Sequence, residues 1–480
     1  MTNTTTPGFL TDAAPPMLLF GGKGGVGKTT TACATAFHLA RANPDQRILL
    51  VSTDPAHSTS DALADAQLPE NLRLVELDAG AEHERFMAEH ATVLHEIASR
   101  GTFLDDADIE GFLELSLPGV DELMCFVRIA DWLDTGEADR IVIDTAPTGH
   151  ALRLLAMPHV LDGWLEAIDA LLGKHRYMAG LFGGSGGSQT DAVENFVEDV
   201  TNKFAALAEA WSDEDACRFV PVCNAEPLSL SETSRLLDDL DTLDIDAPDI
   251  VVNRLVPLAG ANDAAGDEEP GDEDPGLAAR RVSQHAALHA SLSEDQTPFD
   301  DRSLIAIPLL ASEPRGAGLE DFFSAALPID PAALQAGTAS SDISPLPAVA
   351  GGIAPPAAAH RLVLTAGKGG VGKTTMAASL AAATAASDRP VLLVSTDPAG
   401  SLGDVFNAEV TDDPATLASN LRVMQIDAEV EFEALKEMYA DELEAFMDNL
   451  SSAMDLAFDR EALEHLLDLA PPGLDEVMAL

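Results

Sequence analysis

The chain has 480 residues, of which 27 are Lys or Arg and 81 are Asp or Glu, a formal net charge of 27 − 81 = −54. That length holds two or three domains with cores of their own, and the charge repels phosphate backbones, so no nucleic acid is expected as a partner. Four cysteines (Cys33, Cys125, Cys217, Cys223) show neither C-x-x-C nor framework spacing, and no apolar run reaches signal-peptide or membrane-span length, so a soluble, cytoplasmic protein is expected, with any membrane role running through a partner.

In chain order, MLLF (17–20) reads as a strand and runs into GGKGGVGKTT (21–30). G-x-x-x-x-G-K-[ST] is a phosphate-binding loop: its backbone N–H groups surround the phosphates, its lysine reaches the β and γ oxygens, and its hydroxyl is offered to Mg²⁺. The motif places Gly22, Gly24, Gly25, Val26, Gly27, Lys28, Thr29 and Thr30 around a nucleotide, with Thr29 as the Mg²⁺ ligand. The loop opens an alanine-rich helix over 28–41. Further short apolar runs follow at 47–54, 140–147, 218–225, 249–256 and 304–310, with helical stretches at 191–211 and 229–241. Most of the runs lack strict alternation, as parallel strands covered on both faces do. The fold class is therefore α/β, a doubly wound, mostly parallel sheet with nucleotide at the carboxyl ends of its strands. Residues 82–134 and 151–211 read as mostly helical insertions, the second with a loose stretch at 180–191, and 259–276 reads as an acidic loop broken by Gly and Pro.

After an Ala/Pro/Ser/Gly-rich linker at 331–360, the pattern returns. AGKGGVGKTT (366–375) repeats the first loop, PVLLVSTDPAGS (390–401) repeats 47–58, NLRVMQIDA (420–428) repeats 71–79, and PPGLDEVM (471–478) repeats LPGVDELM (117–124). Two copies of one domain are expected, a complete half over 1–330 and an incomplete one over 361–480. The second loop likewise offers Gly369, Gly370, Val371, Gly372, Lys373, Thr374 and Thr375, with Thr374 on Mg²⁺, and is expected to follow a strand at LVLT (362–365). With no counterpart of Asp144 or Asn253 in the second copy, one complete nucleotide site is expected, and the chain reads as a fragment.

The extra lysines after the first glycine of each loop, Lys23 and Lys368, make this a deviant Walker loop. With STDPAHS (52–58), DTAPTGH (144–150), CNAEPLSLSETSRL (223–236), VVNRL (251–255) and IPLLASEPRG (307–316), nearly the whole chain resembles the arsenite-pump ATPase and tail-anchored-protein targeting ATPase family. The resemblance implies ATP and Mg²⁺ as cofactors. It assigns Asp54, and Asp397 in the second copy, to orienting the attacking water. Asp144 is assigned to the Mg²⁺ shell, with Thr145, Pro147 and Gly149 forming a switch that senses the γ-phosphate. Asn253 and Arg254 resemble the family's adenine-binding pair. Lys23 and Lys368 would each reach into the other half's site, making the chain a pseudo-dimer of two halves. Asp54 and Asp144 are alternatively helix caps, the two lysines alternatively solvate their loops, and His57 and His150 are either catalytic or packing residues.

Cargo divides the readings. The fusion of two halves leads to an arsenical pump subunit that drives a membrane transporter. The alternatives are a targeting chaperone for tail-anchored membrane-protein cargo and a MinD-like membrane-cycling regulator, the last disfavoured by the acidic visible C-terminus. Glycine stands at Gly119 and Gly473, where the pump family places a cysteine, and the second copy has no cysteine, so a thiolate site for trivalent arsenic spanning both copies cannot be built. Only seven lysines occur, four of them in the two loops, and so carboxylate-rich a surface resembles that of a protein from a high-salt cytoplasm.

Overall fold

In the computed structural model the described residues are 6–53, 58–63, 66–101, 120–145, 190–256, 275–293, 297–329, 334, 360–367, 371–396, 401–406, 408–426 and 430. They belong to two compact units, one of residues 1–76, 138–152 and 211–425 and another of residues 77–137, 153–210 and 426–480.

The first unit is built on an eight-stranded sheet. Its strands are β1 (Met17–Gly21), β2 (Ile48–Ser52), β3 (Leu72–Glu76), β4 (Arg140–Asp144), β5 (Cys217–Asn224), β6 (Asp249–Leu255), β7 (Ser303–Pro308) and β8 (Leu327–Pro328), in the order β3-β2-β4-β1-β5-β6-β7-β8. All pairings are parallel except β7 with β8. Every residue of β1, β2 and β4 is buried, because helices cover both faces of a parallel sheet and leave no polar side to alternate with. The edge strand β3 is only partly covered. Five of the six strands read from the sequence lie within one or two residues of the observed ones, and the run read over 140–147 extends three residues past the end of β4 at Asp144; β3 and β8 were not read.

Helix α1 (Lys28–Ala42) follows the first loop, and α2 (Ser58–Leu63) follows β2. The inner face of α1 buries Ala32, Ala36, Phe37, Leu39 and Ala40 in one cluster with Phe20, Leu50, Val142, Val220 and Ile305 of the sheet. Phe9 closes this core edge-on to Phe20, with ring centroids 5.8 Å apart. Small residues on α1 let the helix lie close to the strands, which sets the start of α1 against the carboxyl end of β1. Along β1 the register pairs Phe20 with Asp144 of β4 and with Val220 of β5. From β1 the chain crosses to β2 on one side, and from β4 it crosses to β5 on the other. The order thus reverses around β1, where open α/β sheets bind ligands.

In the second unit, α3 (Ala79–Gly101) and α4 (Val120–Thr135) form the described parts of the insertion read over 82–134, and α5 (Thr190–Ser212) that of the one read over 151–211; residues 102–119 and 151–189, with most of the loose stretch read at 180–191, lie outside the described residues. Phe86, His90 and Phe196 cluster their rings, and Lys203 bridges Asp131 and Asp199 at 3.1 and 3.0 Å. No described helix is long and apolar enough to cross a membrane.

Helices α6 (Pro227–Thr242) and α7 (Pro275–Leu292) complete the flank of the large sheet. Around the second loop lie α8 (Lys373–Ala385), β9 (Val391–Ser395), α9 (Ser401–Phe406), β10 (Ala415–Ala418) and β11 (Leu421–Gln425), the three strands forming a sheet in the order β10-β11-β9. The strand expected at 362–365 is corrected by the structure: no strand is formed there, and Leu362 and Leu364 are 75% and 81% exposed. The physical reason is lack of partners. In the large sheet β1 is held between β4 and β5, whereas no described strand pairs with residues 362–365.

Candidate nucleotide-binding site

The first loop begins where β1 ends. Gly22 takes φ +139°, Gly25 φ +81° and Gly27 φ +103°, backbone values that side chains other than glycine rarely adopt. Two of these also face close neighbours. A Cβ on Gly22 would collide with the Val222 carbonyl of β5, and one on Gly27 would collide with the Asn253 side-chain amide. The loop is thus shaped by its own backbone and by two adjacent strands. Gly27 caps α1 in the left-handed region, and the first turn of α1 carries no acidic residue, which leaves the helix N-terminus favourable to an anion. Val26 is 1% exposed, and Thr31 Oγ1 donates to the Gly27 carbonyl at 2.8 Å. Lys28 is 7% exposed, and its Nζ donates to the Lys23 carbonyl at 3.3 Å.

Two of the expected site residues arrive from β6. Asn253 Nδ2 donates to the Val26 carbonyl at 2.7 Å, and Arg254 donates through its guanidinium to the Gly25 carbonyl at 3.2 Å. Both side chains therefore rest on the loop. Arg254 sits at φ +56°, an uncommon value for a residue with a side chain, and α7 holds that turn. Gln284 Nε2 donates to the Arg254 carbonyl at 3.1 Å, and Gln284 Oε1 accepts from Val256 N at 2.9 Å. His285 Nε2 meets the Val256 carbonyl at 3.0 Å.

Asp144 is fully buried at the carboxyl end of β4. Its carbonyl accepts from Thr53 N at 3.0 Å, and Thr145 fastens the next step of the chain to the Phe20 carbonyl through N (3.1 Å) and Oγ1 (2.8 Å). The ends of β1, β2 and β4 are thereby tied at one level, with Ser52 in register with Asp144. Burial, reinforced by the charges of Asp144 and Glu76, pushes the Cys33 thiol of α1 well above its usual range. A threonine hydroxyl at the start of α1 and a carboxylate at the end of β4 are hard oxygen donors, which suits Mg²⁺.

Of the other expected residues, Lys23, expected to reach the second loop, pairs with α6: Nζ is 2.8 Å from Glu232 Oε2. Glu232 was missed in the sequence, where it lay inside a stretch quoted only for resemblance, and so were Gln284 and His285. Asp54, Pro147, Gly149, Lys368, Gly369, Gly370 and Asp397, with His57 and His150, lie outside the described residues. In the second loop Gly372 takes φ +90° and caps α8 ahead of Lys373, Thr374 and Thr375, so the loop-to-helix turn has the same form. Its surroundings differ. Val371 is 67% exposed, and a Cβ on Gly372 would meet nothing within 4 Å; none of the described residues leans on Gly372 as Asn253 leans on Gly27.

A family described as anion-transporting ATPase matches residues 16–328 and 360–480. Relatives include ATPase asna-1 of Caenorhabditis elegans, 33% identical over 316 residues that cover 62% of this chain and 89% of that protein. ATPase GET3 of Lodderomyces elongisporus is 33% identical over 342 residues, covering 65% and 90%, and ATPase get3 of Schizosaccharomyces japonicus is 30% identical over 322 residues, covering 65% and 92%. With a matching phosphate loop, a buried carboxylate beside it and a family match over most of its length, the chain belongs to the anion-transporting ATPase family and is an ATPase.

Proposed function

We propose that this ATPase targets tail-anchored membrane proteins rather than energising an arsenical pump. The observation that carries the choice is the state of the thiols. All four cysteines are buried, and burial pushes Cys223 up to about 12 and Cys217 higher still. A soft metalloid needs thiolates, and these sites strongly disfavour them. Glycines at Gly119 and Gly473 and relatives named GET3 and asna-1 support the same choice. The pump reading rested on the fusion of two halves, which by itself says nothing about cargo.

In this reading Lys28 and the loop amides hold the β and γ phosphates, and Asn253 with Arg254 lies beside the loop where the base would rest. Thr29 and Asp144 would hold Mg²⁺, which when bound neutralises charge on the β and γ oxygens. Asp54, two residues beyond β2, orients the attacking water, and Thr145 opens the segment (with Pro147 and Gly149) that senses the γ-phosphate. Lys368 reaches the first site and Lys23 the second, so that ATP draws the two halves together. Thr374 and Asp397 play the Thr29 and Asp54 parts in the second half.

Arsenite or antimonite should therefore raise ATP turnover less than about twofold, since Cys33, Cys217 and Cys223, with raised pKa, hold little thiolate at neutral pH and one remaining thiol makes no cluster. Steady-state phosphate release with and without metalloid measures this. A large stimulation that disappears when all four cysteines are replaced by serine would contradict the proposal.

A further inference from the structure

The ladder between β6 and β7 carries one residue too many. Val252 pairs with Ala306 and Leu255 with Pro308, so Asn253 and Arg254 together stand opposite Ile307. Consecutive residues of a strand ordinarily send their side chains to opposite faces, and a bulge breaks that rule. Here it brings both to one place. Asn253 Nδ2 donates to the Val26 carbonyl at 2.7 Å, and the Arg254 guanidinium donates to the Gly25 carbonyl at 3.2 Å. The arrangement needs Arg254 at φ +56°, a backbone value disfavoured for a residue with a Cβ.

Backbone polar groups at a bulge lose their ladder partners and must find others. Arg254 N donates to Asn253 Oδ1 at 2.9 Å. The Arg254 carbonyl and Val256 N both go to one side chain of α7: Gln284 Nε2 donates to the carbonyl at 3.1 Å, and Gln284 Oε1 accepts from Val256 N at 2.9 Å. With an acceptor on one side and a donor on the other, only one orientation of the carboxamide fits. Gln284 is 2% exposed, so its two bonds are made away from water. His285 Nε2 meets the Val256 carbonyl at 3.0 Å, and Leu309 N donates to the Leu255 carbonyl at 2.9 Å, beyond the bulge.

We infer that Gln284 is a positioning residue for the nucleotide: by standing in for β7 across the bulge it keeps Arg254 left-handed, and so keeps Asn253 and Arg254 both on the first phosphate loop. It acts through those two side chains, from about thirty residues downstream of them. Without its two bonds the Arg254 carbonyl and Val256 N are buried and unpaired, and the strand regains them by straightening. A straight strand turns one of the two side chains away from the loop. The effect on ATP rests on the nucleotide reading of the first loop; the effect on the loop's shape does not.

Gln284→Leu and Gln284→Glu test this in the full chain. Amide exchange is followed at Val256 and over residues 25–27, and MgATP binding with a fluorescent ATP analogue. In Gln284→Leu both stretches should exchange faster, and MgATP should bind about five- to thirtyfold more weakly, the range for buried polar groups left unpaired. Gln284→Glu should depend on pH. The neutral acid donates to the Arg254 carbonyl and accepts from Val256 N as the amide does, whereas the carboxylate sets a second acceptor against that carbonyl. Burial favours the neutral acid, so MgATP affinity should lie within about twofold of wild type near pH 6 and fall about five- to thirtyfold below it near pH 9. Arg254, His285 and the pair of Arg280 with Glu226 at 3.8 Å are present in both proteins, so comparison with wild type at each pH removes their share. A lower melting temperature with affinity within about twofold of wild type would reduce Gln284 to a structural brace and overturn the inference, as would an affinity ratio for Gln284→Glu that is flat with pH. Should Gln284→Leu fail to fold, the pH comparison decides. A wild-type chain that binds no MgATP would instead overturn the nucleotide reading, while exchange over 25–27 still shows whether Gln284 shapes the loop.

Discussion

Replacing Lys28 by alanine should lower ATP turnover by at least about a hundredfold while leaving the melting temperature within a few degrees. The ammonium is the loop's concentrated positive charge, and phosphoryl transfer depends on positioning and charge stabilisation rather than covalent chemistry. Its stem is buried beside a loop whose other contacts, Asn253 to Val26 and Thr31 to Gly27, stay in place. The fold should therefore survive the loss. Asp54→Asn should separate binding from chemistry: ATP affinity close to wild type, hydrolysis lost, because orienting water matters only at the transition state. Phosphate-release kinetics with parallel ATP titration measure both. Unreduced turnover in Lys28→Ala would remove the first loop from the reaction, and unreduced turnover in Asp54→Asn would remove the water-orienting role.

Salt should have the second large effect. With a net charge of −54, self-repulsion acts over a screening length of about 10 Å at 0.1 M salt and about 3 Å at 1 M. The acidity is dense locally. A cleft of about 1010 Å³ at the amino end of the large sheet is lined by Asp213, Asp238, Asp241, Asp244, Asp246 and Asp300, among others, with Arg302 as its basic residue. The melting temperature should rise by about 10 °C or more between 0.1 M and 3 M KCl, equal to about 3–5 kcal/mol by the size scaling of unfolding entropy. Calorimetric or fluorescence melting across that range decides it, and a flat curve would show that the charges are already compensated by local structure.

Sequence reasoning succeeded where the chemistry is local. The glycine, lysine and threonine spacing of residues 22–29 states its own purpose, and fully buried strands such as β1 and β4 announce themselves as unbroken apolar runs. It fell short where a residue's role is decided by what folds against it. LRLVE became β3 at an edge with only partial cover, so its apolar signal was weak. LVLT at 362–365 has the composition of β1 but no partner strands among the described residues, and composition alone does not make a strand. Glu232 occupies an ordinary helical position, and only the approach of the first loop shows that it meets Lys23. The left-handed turn at Arg254 is supported from α7, about thirty residues downstream, by Gln284 and His285, a link no local pattern carries. Cargo was the least legible feature: the two-half arrangement pointed to a pump while the cysteine pattern argued against a metalloid site, and the burial of the thiols, invisible in the sequence, supports the targeting proposal.

The most direct test of the account is to translate a tail-anchored membrane protein in the presence of the purified full chain and measure how much stays in a soluble complex. Transfer of that cargo to lipid vesicles is then followed with and without MgATP. The account predicts a soluble complex with the wild type, transfer that requires MgATP, and loss of that requirement's effect in Lys28→Ala, whose cargo stays bound. A chain that hydrolyses ATP yet keeps no transmembrane segment in solution would contradict it.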